Sequence, residues 1–268
     1  MKSKKHLESY KIKWIDDAAS KFKAVSVSIN NKKFQILPKW LDTVSYRYNK
    51  EFNNDFPSSL AHFKRGAVVR ADFGVNMGSE FCGIHFAIVL NKHDNYRNRT
   101  LTVLPLTSHD KNGRFPLGAE IFNQTTQMIN LQITNFRTRL NKLSEEADEA
   151  AKMAKSLNYP TSHPSTNNDQ TDDSINKLVK MNDALDKSID DIKKDIEQLK
   201  RVNEVYDRYN KSSYVRLNDI TTISKYRLRH INKYDPSGKI LLTSKQMSDI
   251  SLLIQKLYLS DPKLDPEN

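Results

Sequence analysis

Residue types able to move protons or hold ligands crowd the stretch from residue 64 to 118, which also holds six of the chain's seven glycines. His85, His93 and His109 lie there with Glu80, Cys82, Asp94 and Asp110. Two His-Asp pairs, His93-Asp94 and His109-Asp110, would suit a metal if further ligands stood at helical spacing. Both fall in loop-like stretches without an i, i+4 partner, so no metal site is expected. No glycine-rich phosphate loop of the P-loop or dinucleotide type occurs, and no nucleotide cofactor is expected. Cys82, the single cysteine, excludes an intramolecular disulfide and fits a reducing compartment; no cysteine-protease context surrounds it. His109 follows Thr107 by two residues and could transfer a proton if its strand end faces a groove.

These side chains need a scaffold, and the same stretch supplies its signals. Val68, Val69 and Phe73, then Phe86 to Leu90, then Leu101 to Leu106 are short apolar runs bounded by Gly, Asn, Asp or Pro, the pattern of β-barrel strands. Gly74, Gly78 and Gly83 share one connection, where tolerance of positive φ permits a sharp bend and a backbone close to a ligand. Such a loop can act as a lid. Ser79 and Glu80 at its centre either orient the loop or touch a ligand. Arg65 and Arg70 flank the first strand and could meet phosphates, although exposed arginines on a small barrel are commonplace.

The chain has 268 residues, 37% of them apolar, room for one sizeable domain or two. Its formal charge is +11, and because residues 123 to 206 hold more acids than bases, the surplus lies in the flanking parts. That distribution suits an anionic polymer as partner, and a solvated lysine-rich surface would give it too. No apolar stretch has signal-peptide or membrane-span length, so a soluble, cytoplasmic protein is expected with no membrane partner.

Residues 123 to 206 lack glycine and read as an insertion. Ile129, Phe136, Leu143, Ala150 and Leu157 recur seven apart, interleaved with Ile133, Leu140, Ala147 and Ala154. A second arm carries Ile175, Asn182, Ile189, Ile196 and Asn203 beside Leu178, Leu185, Ile192, Leu199 and Tyr206. Two heptad helices follow, with the two asparagines setting register and a flexible Pro-containing tip near residues 158 to 173. An antiparallel hairpin is expected, either packing only against itself or serving as a dimerisation or docking arm. Ahead of the barrel, Leu7, Trp14, Ala18, Phe22, Val25 and Ile29 approximate one helical face, and Pro38 suits the first turn of a second helix. This extension is either a brace or a cover over a nucleic-acid groove. The expected fold class is α+β: residues 1 to 61 a helical extension, 62 to 122 and 207 to 260 a small barrel, 123 to 206 the hairpin, and 261 to 268 a tail.

The residues Lys64, Arg65, Gly66 and Val68, with Asp72 and Phe73, the loop Gly78, Ser79, Glu80 and Gly83, the strand Ala87 to Leu90 and the run VLPLTS from Val103 to Ser108 together resemble the MazF/PemK family of toxin endoribonucleases. SYVRLNDITTISKYRL, from Ser213 to Leu228, resembles the family's paired strand and short helix, and Thr243 with Gln246 its final helix cap. The resemblance implies an SH3-like barrel, usually homodimeric, that cleaves single-stranded RNA without a metal or other cofactor and is restrained by a cognate antitoxin. In the family an Arg-Pro pair follows the loop, its arginine is catalytic, and a threonine ending the third strand assists it. Here those positions hold His85-Phe86 and Thr107, so His85 and Thr107 are the expected catalytic residues. Arg65, Arg70, Ser79, Glu80, Ser108 and His109 are candidates for RNA contact or loop support. Exchange of a permanent cation for histidine either supplies a better acid or base, or leaves a barrel that binds RNA or protein without cutting, with the hairpin serving assembly or docking.

If the hairpin is an insertion, replacing residues 126 to 205 with a short Gly-Ser linker leaves a folded domain with a cooperative melt and native-like circular dichroism. An insoluble product would place the hairpin in the core.

Overall fold

The structure, a computed structural model, describes residues 2–27, 30–157, 168–207 and 212–259. In chain order the elements are α1 (Lys2–Ser26), α2 (Lys32–Gln35), α3 (Leu37–Phe52), β1 (Val68–Asp72), β2 (Ile84–Val89), β3 (Thr100–Thr107), β4 (Arg114–Gly118), α4 (Glu120–Leu157), α5 (Asn168–Asp207), β5 (Ser213–Arg216), β6 (Thr221–Ser224) and α6 (Ser244–Tyr258). They divide into two compact units. One comprises the residues up to 117, 213–229 and those from 237 onward; the other comprises 118–212 and 230–236.

The first unit is built on an antiparallel sheet ordered β1-β2-β3-β5-β4, with β6 also paired to β3. Alternation along β1 turns Val69 and Ala71 to one side, where they join Ala87 and Val89 of β2, Leu101 and Val103 of β3, Ile223 of β6 and Phe63 in the core. The expected barrel is not closed: β1 and β4 end the sheet without pairing to each other. The outer side of β1 is met instead by isolated bridges from Ala67 to Leu241 and from Ala71 to Leu228. Thr243 and Gln246 form a capping box that starts α6.

Lys225 has a buried role in this unit. Its ammonium lies 2.8 Å from Asp94, both side chains being essentially inaccessible (2% and 0% exposed). It also donates to the carbonyls of Ala61 at 2.9 Å and Asn95 at 3.0 Å. Burial alone would raise the Asp94 carboxyl pKa, but hydrogen bonds from Lys225 and the Phe63 amide hold it below the ordinary value.

Pro38 stands in the first turn of α3, where a missing N–H costs nothing. Trp14, Phe22 and Val25, expected on a packed face of α1, are largely exposed, while Ala18 and Phe22 border a groove facing Pro38 and Leu41 of α3. The Leu7 side chain and Ile29 lie outside the described residues, as do residues 158–167 of the expected tip and the expected tail.

In the second unit α4 and α5 pair, and their seam differs from the expected one in a regular way. Phe136 and Ala150 on α4 and Ile192, Leu199 and Tyr206 on α5 are buried. The companion columns are each displaced by one residue. Asp195 and Val202 are buried where Ile196 and Asn203 were expected, while Ile133 and Leu140 are exposed. Ile133, Leu140 and Ile196 line an open groove of about 660 Å³ along the hairpin. The displacement is tolerated because Asp195 is paired: Arg139 reaches it across the hairpin at 2.9 Å and Lys233 also pairs with it. Neither asparagine sets the register, since Asn182 is exposed and Asn203 donates along its own helix to Asp207 at 2.8 Å.

This seam predicts unequal costs for similar truncations. Phe136→Ala should destabilise the hairpin by about 3–5 kcal/mol, the range for a buried aromatic, whereas Ile133→Ala should cost no more than about 0.5 kcal/mol. Urea melts of the two variants decide between the observed seam and the expected one.

Candidate active site

The sheet register gathers the candidate residues. β1 and β2 pair with Ala71 opposite His85, and β2 and β3 with Ala87 opposite Pro105. Directly opposed residues share a face, and alternate residues return to it, so His85, Ala87, Pro105 and Thr107 all belong to the core-facing side. Carried two residues further, the β2-β3 register sets Thr107 across from His85. On the other side of β3, Thr107 pairs with Tyr214 and Leu106 with Val215. Tyr214 and Arg216 of β5 therefore join that face.

Side-chain contacts agree with the register. The His85 imidazole packs against Phe81, with ring centroids 4.4 Å apart and planes tilted by 50°. The Arg216 guanidinium lies over the other participant, 4.8 Å from the Phe81 ring centroid. Arg216 also pairs with the Asp219 carboxylate, three residues on. The Thr107 hydroxyl accepts the His109 backbone N–H at 3.3 Å, which leaves its own proton for donation to a ligand.

Burial lowers the His85 pKa from its ordinary value, and the nearby Arg216 charge lowers it further; a hydrogen bond with the Cys82 backbone works in the opposite direction. The imidazole is consequently neutral near pH 7 and has a nitrogen lone pair available to accept a proton. Beside it stands a guanidinium that keeps its charge. A proton acceptor, a hydroxyl and a permanent cation on one face can deprotonate an alcohol next to a phosphodiester and stabilise charge on the phosphoryl oxygens.

The loop from Gly74 to Gly83 packs against His85 through Phe81 and Gly83. Gly83, at φ +90°, lies against the imidazole, since a methyl group there would sit 3.5 Å from Nε2. Asn76 holds the loop by donating to the carbonyls of Phe81 at 2.7 Å and Phe73 at 3.1 Å. Ser79 and Glu80 are exposed on the loop, and Ser108 and His109 are exposed just past β3. Arg65 is committed elsewhere: its guanidinium bonds the Leu90 carbonyl and the Ser251 hydroxyl. Arg70 pairs with Phe86 in the ladder and belongs to the sheet face opposite His85. Arg227 donates to the carbonyls of Asp72 and Phe73, a bracing role like that of Lys225.

Sequence reasoning missed Arg216 and Phe81. Arg216 follows the hairpin in the sequence, 131 residues after the histidine, and only strand pairing reveals their common face. Its signal was the alternation Tyr214-Val215-Arg216 in a strand that had to lie beside β3.

Residues 64–151 match the family model of the PemK-like, MazF-like toxin of type II toxin-antitoxin systems. The match extends into α4, beyond the point where the resemblance read from the sequence pauses, and stops short of β5. No curated protein matches the chain.

The electrostatic relation between Arg216 and His85 is open to direct measurement. Proton-detected titration should place the His85 pKa below about 6.5, the ordinary histidine value, and Arg216→Gln should raise it while burial keeps it below that value. An unchanged His85 pKa in the variant would separate the two residues.

Proposed function

We propose that this chain, whose residues 64–151 match the family model of the PemK-like, MazF-like toxin of type II toxin-antitoxin systems, is a member of that family and a metal-independent endoribonuclease acting on single-stranded RNA. The observation that carries the reading is a half-buried imidazole, its pKa lowered by burial, on the same sheet face as Thr107 and Arg216. The His85 imidazole takes the proton of a ribose 2′-hydroxyl, and the freed 2′-oxygen attacks the adjacent phosphorus. Arg216 and the Thr107 hydroxyl stabilise the charge that grows on the non-bridging oxygens. The P–O5′ bond then breaks, the departing oxygen takes a proton from water, and the products carry a 2′,3′-cyclic phosphate and a 5′-hydroxyl. DNA lacks the nucleophile and is not cut.

The family match also supports a cognate antitoxin as partner, a homodimer as the working form and action in the cytoplasm. None of the described helices is long and apolar enough to cross a membrane. The pairing of Arg216 with Asp219 favours one alternative, in which this cation is neutralised and the domain binds RNA or protein without cutting.

Incubation of full-length protein with a long single-stranded RNA in EDTA separates the two readings. The nuclease reading expects discrete fragments with cyclic phosphate ends, no product from His85→Ala at an unchanged melting temperature, and a loss of about 10²-fold for Arg216→Ala, the scale for one donor to developing charge. Because the working form of His85 is neutral, activity should rise as pH climbs through its lowered pKa, placing the ascending limb below about pH 6.5. Intact RNA under all these conditions would leave the binding module as the remaining reading.

A further inference from the structure

On the sheet face opposite His85, Asp72 sits among three guanidiniums. Its Oδ2 lies 3.1 Å from Arg229 and 3.8 Å from Arg47, and its Oδ1 accepts the Gly74 amide at 3.1 Å. Arg227, the third, donates to the backbone carbonyls of Asp72 and Phe73 and lies over the Trp40 indole at 5.1 Å. One carboxylate thus answers three cations, and burial together with the neighbouring Arg229 charge lowers the Arg47 pKa. Two donors in this cluster, Arg47 Nη2 and Arg229 Nε, are buried without a hydrogen-bond acceptor. Buried, under-neutralised guanidinium is costly unless an anion completes it.

A cavity of about 280 Å³ adjoins the cluster. Arg229, Asp72, Lys39, Thr43 and Trp40 line it, and Ile84, the residue before His85, forms part of its wall. Trp40 is held in place because its ring lies on Gly74, where a Cβ would come within 2.4 Å of the indole. Cations beside a flat aromatic ring suit one nucleotide, the phosphate on the guanidinium and ammonium groups and the base stacked on the indole. A free inorganic anion would leave the ring unused, and an acidic peptide would not need it.

Resting on the nuclease reading above, the geometry points to a second RNA subsite between α3 and the Gly74–Gly83 loop, in which Arg229 and Lys39 hold a phosphate of the substrate strand and Trp40 stacks its base. The strand passes around the loop, so that one nucleotide lies on each face of β2. The amino-terminal extension is then part of the RNA-binding surface.

The test uses full-length protein carrying Trp14→Phe, which leaves Trp40 as the sole tryptophan, and a 2′-O-methyl RNA 12-mer that has no nucleophile. Binding is followed by anisotropy over a salt series and by Trp40 emission. The expected result is quenching of Trp40 by the 12-mer, weaker binding by about 5- to 10-fold for Lys39→Gln and for Arg229→Gln, and a salt slope reduced by about 0.7 for each removed phosphate contact. In cleavage of unmodified RNA, Lys39→Gln should raise KM and leave kcat unchanged. Lys39 is exposed, so this variant stays informative even if Arg229→Gln unfolds. Unaltered slope and emission in an active, RNA-binding protein would overturn the subsite alone. Failure of the parent protein both to bind the 12-mer and to cut RNA would remove the nuclease reading as well. Equal quenching by free AMP, with no effect of Lys39→Gln on the 12-mer, would assign the cavity to a free nucleotide and overturn the RNA assignment.

Discussion

The buried pair of Lys225 and Asp94 is the constraint on which the sheet depends. An ammonium with three acceptors and no access to water has no comparable alternative placement, and stripping it of its carboxylate partner costs about 3–5 kcal/mol in comparable sites. The pair joins chain that follows the hairpin to chain that precedes it. From Lys225 the backbone runs on past β1, where the Arg229 amide donates to the Arg70 carbonyl at 2.8 Å and Arg227 reaches Asp72 and Phe73. With this segment fixed, β6 and β5 lie against β3, and Arg216 is brought to the face that His85 occupies.

Much of the sheet was legible in the sequence because its signals are local. Glycines at positive φ and β-branched runs mark turns and strands whatever their partners, and Thr243 with Gln246 carries a complete helix start. The parts that were not legible depend on what meets what. Arg216 acquires its place only through pairing with β3. The hairpin seam misled because a carboxylate at a core position looks wrong until Arg139 and Lys233 are seen to satisfy Asp195, after which the apolar Ile133 and Leu140 are free to turn outward. Arg65, in the sequence either a phosphate contact or a commonplace surface arginine, bonds the Leu90 carbonyl and Ser251 of α6, and nothing in its own neighbourhood announces that serine. Barrel closure likewise rested on which strand would cover β1, and two isolated bridges do so in place of β4.

On the proposed nuclease reading, the cation of the site comes from β5 and not from the loop. A guanidinium reaches roughly as far from a neighbouring strand as from a loop, and the phosphoryl group responds to where the charge is and not to which segment supplies it. With Arg216 providing the cation, the position after the loop is free to hold an ionisable ring. Burial of that ring then lowers its pKa. On that reading the two roles, charge and proton transfer, are divided between residues on separate strands.

The hairpin has a consequence for how the chain folds. It enters after β4 and leaves before β5, strands that are neighbours in the sheet. As an unstructured loop, the intervening segment would impose a closure entropy that grows with the logarithm of its length and a high contact order that slows assembly. Helices α4 and α5 pair with one another over contacts that are near in the chain, and such pairing can form well before long-range strand pairing is complete. Pairing of α4 with α5 thereby shortens the loop that the neighbouring strands β4 and β5 would otherwise have to close.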